Sequence, residues 1–146
     1  MRPQCGVIEL NEALGLEHRR KDADGGLDEL ADVIVEAGRK VHKTLGRGLL
    51  ESIYEHSLAH ELQARDVAFV RQPAPPAHDG PDHAYGYRLD FVVADVIVVE
   101  IGAVDAPACL HEPEVLEKLR RSGYLLGLLL DFNAERYSEG VKRFVL

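Results

Sequence analysis

The segment Tyr124–Phe132, YLLGLLLDF, limits what this chain can fold into more than any other stretch. It is an almost unbroken apolar run, and a strand of that kind has to be covered on both faces. A short helical segment, HEPEVLEKLRRSG, precedes it and a strand-like segment, KRFVL, closes the chain. Pro113 falls in the first turn of that helix and Gly123 just past its end, the usual start and stop residues. Further upstream, YGYRLDFVV and VIVVEI are β-rich and separated only by Ala94-Asp95, so they predict a hairpin. VAFVRQ predicts one more strand, and the proline- and aspartate-rich PAPPAHDGPDHA a loop after it. Two helices come first. Leu27, Leu30, Ala31, Ile34, Ala37, Val41 and Leu45 recur at helical spacing, and after Gly46 and Gly48 a second helix runs from about Leu49 to Arg65. The order is helix, helix, three strands, helix, strand, strand: an α/β sheet flanked by helices.

A chain of 146 residues fits one domain. Residues 1–26 predict a poorly ordered leader, with a short helix at Val7–Leu16 and a break at Gly25-Gly26, and residues 27–146 the domain proper. No apolar run approaches the roughly 20 residues that span a bilayer, and none resembles a secretory signal, so a cytoplasmic protein without membrane contact is expected. Cys5 and Cys109 lack metal-ligand spacing and predict two free thiols. The net charge of −8 counts against tight non-specific binding of nucleic acid as a partner, though local charge decides contact. RKVHKTLGR carries Arg39, Lys40, Lys43 and Arg47 with no acid among them. It reads first as a solvated helix end, where cations suit the helix dipole, and second as a phosphate contact.

The second helix and the hairpin hold the candidate chemistry. At about 100° per residue, Leu50, Ile53, Tyr54, Leu58 and Leu62 form one apolar stripe, with Glu51 and Glu61 inside its edges. Carboxylates on a buried face need a cation, a metal or a hydrogen-bonding partner. For Glu61 an ion pair with Arg71 or Arg88 meets that need; for Glu51 the answer depends on what faces it. In the hairpin, Asp90 shares a face with Arg88 and Val92, and Glu100 with Val98 and Gly102. A three-residue or bulged turn at Ala94–Val96 sets the two acids opposite each other; a two-residue turn sends them to opposite faces. Brought together they suit magnesium or manganese; kept apart they are two solvated acids. His56 and His60 have i,i+4 spacing but lie on the polar side of the helix without a third ligand. The chain has no glycine-rich phosphate loop with lysine and no serine in a nucleophile elbow.

GLLESIY at Gly48–Tyr54 matches the pattern G-x-x-E-x-x-Y, with VHKTLG as its lead-in. RLDFVV followed by VIVVEI has the spacing of the acidic half of a PD-(D/E)xK site, and HEPEVLEKLRRSGYLLGLLLDF and KRFVL continue the order. On these segments, over about residues 30–146, the chain resembles the GxxExxY family of PD-(D/E)xK nuclease-like proteins. The resemblance implies a restriction-endonuclease-like core, with a mixed β-sheet of four to five strands flanked by helices. It implies metal-dependent phosphodiester hydrolysis of nucleic acid, with Asp90 and Glu100 holding Mg2+ or Mn2+ and Glu51 supporting the ion from the helix. Three positions depart from the family. Gly102 stands where a lysine that orients the attacking water is expected, and Glu114 and Lys118 stand where a glutamine and a tyrosine are expected. Two readings follow. Either Lys118 supplies the missing ammonium from the helix, with Glu114 as an added acid, or the site is degenerate and the glycine at 102 predicts weak or no cleavage. In the second case the protein is a non-catalytic module that binds nucleic acid or protein. An i,i+4 Glu114–Lys118 pair on the helix surface is the plain structural reading of the two. Assembly into a homo-oligomer is compatible with either.

Overall fold

The computed structural model describes residues 17–73, 89–103 and 108–145, with side chains described over 26–73, 89–103, 112–113 and 115–145. The predicted helix at Val7–Leu16, the segment 74–88 with Arg88, and the side chains of Cys5, Cys109 and Glu114 lie outside the described residues.

Helix α1 spans Glu17–Leu45. It starts earlier than its apolar spacing suggests and runs through Gly25-Gly26, which the sequence marks as a break. Glycine in a helix interior costs only about 1 kcal/mol, so it weakens a helix without ending it. Ala31, Ile34, Ala37 and Val41 are buried, with Leu27, Leu30 and Leu45 packed at their edge. The loop to α2 (Glu51–Ala64) turns through Gly46 and Gly48, whose φ values of 70° and 82° favour glycine. Tyr54 locks this loop to the helix after it. Its hydroxyl donates to the Gly46 carbonyl at 2.6 Å and accepts from the Leu49 N–H at 3.1 Å, while its ring stacks on Phe132 at 4.7 Å.

The buried side of α2 is Tyr54, Glu55, Leu58, Ala59 and Leu62. The expected stripe is therefore corrected at its N-terminal end. Leu50 precedes the helix and Ile53 points outward, so both are exposed, and a buried glutamate stands among the apolar residues instead.

The strands are β1 (Phe69–Arg71), β2 (Phe91–Val93), β3 (Ile97–Gly102), β4 (Leu126–Asp131) and β5 (Val141–Val145), and they form one sheet in that order. β3 and β4 are parallel, joined through α3 (Ala108–Ser122), and the other pairs are antiparallel. The chain is thus an α/β protein with a five-stranded mixed sheet flanked by helices, consistent with a restriction-endonuclease-like fold. α3 begins before His111, so Pro113 falls inside the helix and not in its first turn. A short helix, α4 (Tyr137–Gly140), leads into β5.

Strand alternation divides the core. Phe91, Val93, Ile97, Val99, Ile101, Leu126, Leu128 and Leu130 face α1 and α2. Val92, Val98, Leu129 and Phe144 face α3 through Val115 and Leu119. The all-apolar β4 is the strand that needs both covers, as its sequence demands. Close approach of α3 depends on Gly127, where a Cβ would lie 2.7 Å from Leu119 Cδ1. No helix of the described residues is long and apolar enough to cross a membrane.

Removing the Tyr54 hydroxyl leaves two loop groups without their partner. Tyr54→Phe is expected to destabilise the fold by about 1–2 kcal/mol in urea denaturation, with the ring stack intact. An unchanged midpoint would mean that this loop contributes nothing to stability.

Candidate functional site

Turn geometry decides whether Asp90 and Glu100 meet. Val96 N–H donates to the Val93 carbonyl at 3.0 Å, with Ala94 and Asp95 at φ values of 50° and 58°. The ladder nevertheless pairs Val93 with Ile97, so three residues, Ala94 to Val96, separate the strands. That turn keeps Asp90 and Glu100 on one face, the face covered by α3.

Where the ladder ends, carboxylates take over its backbone donors. Glu100 Oε1 accepts the Asp90 N–H at 3.2 Å, and Asp90 Oδ2 accepts the Ile101 N–H at 2.8 Å. Each acid is thereby fixed against the opposite strand. Glu100 is buried, and its Oε2 accepts from Lys118 Nζ of α3 at 2.9 Å. Burial, and after it the negative charge of Asp90, push the Glu100 carboxyl up to about 8 against the opposing pull of Lys118. One ammonium does not balance the cluster.

Asp131 is the acid that the sequence reading missed, because it ends a run read as apolar. It is buried at the end of β4, opposite Gly102 in the parallel register, and its Oδ1 accepts the Asn133 N–H at 3.0 Å. A Cβ at position 102 would meet Asp131 Oδ1 at 3.3 Å and its Cα and Cβ at 3.4 Å. Asp131 therefore crowds the space beside Gly102 without closing it. A signal existed: an acid directly follows five positions of β4 that are glycine or leucine, before Phe132.

The remaining candidates separate. Glu51 lies on the same side of α2 as Tyr54 and Leu58, as its spacing predicts. It is exposed, because it is the first residue of a helix that covers the opposite face of the sheet from α3. Glu61 pairs with Lys40 at 3.2 Å and with Arg65 at 3.9 Å, not with Arg71, which binds Glu55. In the basic segment, Arg39 bonds Glu36 and lies over the Tyr137 ring, and Arg47 Nε donates to the Asn133 carbonyl at 2.7 Å. Its cations are thus partly committed within the fold. His56 and His60 are both exposed.

Two carboxylates side by side fit what magnesium asks of a protein, since this ion commonly takes one or two acids and keeps waters or phosphates. Among the described residues, no group of three or more His, Cys, Asp or Glu could hold a metal ion.

The family whose model matches is described as the PD-(D/E)XK nuclease superfamily, and the match covers residues 28–144. No curated protein and no solved structure matches the chain.

The raised carboxyl of Glu100 sets a pH dependence. Between about pH 4.5, where the unfolded glutamate titrates, and about 8, the folded chain keeps a proton that the unfolded chain has lost. The metal-free protein should therefore lose stability as pH rises through that window, by an amount on the order of a few kcal/mol. In Glu100→Gln this contribution should vanish. Urea unfolding in chelator at pH 5, 6.5 and 8 measures it, and wild type and variant changing in parallel would contradict the assignment.

Proposed function

The chain belongs to the PD-(D/E)XK nuclease superfamily, and from that premise we propose that it is a metal-dependent nuclease with a rearranged active site. The observation that carries this reading is the Lys118 ammonium, 2.9 Å from Glu100 although its residue belongs to a helix. Asp90 and Glu100 are the metal-holding acids, and Lys118 does the work of the lysine that Gly102 lacks. We read the chain as a GxxExxY protein on Gly48, Glu51 and Tyr54.

Magnesium or manganese bound there supplies Lewis-acid stabilisation of the charge on a scissile phosphate. The chain's own groups do the rest. Asp90 and Glu100 are pre-oriented by the backbone N–H groups of Ile101 and Asp90. Lys118 reaches the site on a four-carbon stem, so its ammonium can move from Glu100 to an attacking water or a phosphate oxygen. Glu51 begins a helix on the other face of the sheet from Asp90 and Glu100 and is given no part in this mechanism. The absence of an apolar spanning helix among the described residues is compatible with action in the cytoplasm.

The degenerate reading has support too: the ammonium is engaged by Glu100, and the net charge of −8 disfavours phosphate. Cleavage of single- and double-stranded DNA and RNA, with magnesium or manganese, separates the two. Wild type is expected to cut, Asp90→Ala to be inactive, and Lys118→Ala to lose roughly 10²–10³-fold in rate, as for other preorganised electrostatic groups. Gly102→Lys in the Lys118→Ala background should recover part of the loss, since a Cβ at 102 is tight but not excluded. Full activity of Lys118→Ala would refute the rearrangement, and folded variants that never cut would favour a binding module.

A further inference from the structure

The acid buried in α2 is not the one that the sequence singles out. Glu55 is buried, and its Oε1 accepts from Gln72 Nε2 at 3.0 Å and from Arg71 Nη2 at 3.3 Å. Gln72 then donates its backbone N–H to the Asp90 carbonyl at 2.8 Å. It does so with φ at 48°, in the left-handed region. For a residue other than glycine that conformation is unfavourable because the Cβ crowds the following carbonyl oxygen, so something has to hold it. The side-chain bond to Glu55 is the hold that the structure provides.

We propose that Glu55 is a positioning residue for Asp90, acting through Gln72. The buried carboxylate fixes Gln72 in its left-handed turn, and Gln72 fixes the Asp90 backbone. Asp90 is then set so that its carboxylate meets the Ile101 N–H beside Glu100. Arg71 pairs with Glu55 at 3.3 Å but is itself 39% exposed, and an ion pair with an exposed partner contributes little by itself. What the Glu55 carboxylate adds that an apolar residue could not is the hold on the Gln72 side-chain amide. The functional consequence rests on Asp90 being a site acid, as proposed above; the mechanical linkage does not.

Amide hydrogen exchange on the metal-free protein tests the linkage directly. Glu55→Leu removes the acceptor and keeps bulk. Gln72→Asn shortens the side chain by one carbon while tolerating the left-handed turn, so it keeps the test available should Glu55→Leu not fold. In either, the Gln72 and Ile101 amides should exchange roughly five- to tenfold faster relative to the Val99 amide, the loss of about one hydrogen bond. Glu55→Gln retains an acceptor oxygen and should restore wild-type exchange at both. Unchanged relative exchange in Gln72→Asn, or equal acceleration at all three amides, would overturn the proposal. Where wild type cleaves, the same variants should lower kcat with KM little changed. An inactive wild type defeats the nuclease reading and leaves the exchange result standing; unchanged exchange defeats the linkage and leaves that reading intact.

Discussion

The geometry of the candidate site depends on a pair of acids that replace the end of a β-ladder. Beyond Phe91 and Val99 the hairpin strands stop exchanging backbone bonds in register. The Asp90 and Glu100 carboxylates accept the freed N–H groups instead. Buried backbone donors must find partners, so the two acids serve the fold whatever else they do. The cost is electrostatic: Glu100 is driven toward its protonated form by burial and by Asp90, and a single ammonium, Lys118, offsets part of it. Remove the turn of three residues, and Asp90 and Glu100 part to opposite faces.

Much of this was legible in the residues. Period-two alternation and the spacing of Asp90 and Glu100 narrowed the hairpin to two turn geometries with opposite consequences. Sequence could not choose between them, because Ala94 and Asp95 are not strong turn formers at positive φ, unlike Asn-Gly. The structure has the longer turn. The apolar run of β4 correctly demanded helices on both faces. Less legible were effects set by where elements end. Glu51 has the angular position of a core residue, but projection on a helical wheel ignores height along the axis, and the first three residues of α2, Glu51 to Ile53, are exposed. Glu55 was invisible for the converse reason: its partners, Arg71 and Gln72, come from an edge strand whose position no local pattern reveals.

Gly102 has a different meaning in the fold than in the sequence. Read along the chain, it stands where the family resemblance expects a lysine. Across the sheet it faces Asp131, whose atoms lie 3.3–3.4 Å from where a Cβ would begin. A glycine on β3 and an acid on β4 are complementary in size at that register pair. Position 102 is therefore coupled to the neighbouring strand through Asp131.

An ammonium carried on a helix is held in place differently from one carried on a strand. A strand lysine is set by the sheet's own register, whereas Lys118 is set by how α3 sits on the sheet. That seat is made by Val115 and Leu119 against Val98 and Leu129, and it is close because Gly127 has no side chain. A Cβ there would press on three atoms of Leu119, the residue directly after Lys118. Packing in this layer and charge at the cluster are thus one problem. The glycine that interrupts an otherwise leucine-rich strand weakens β propensity locally. In return it lets a neighbouring helix bring its lysine within hydrogen-bond distance of Glu100.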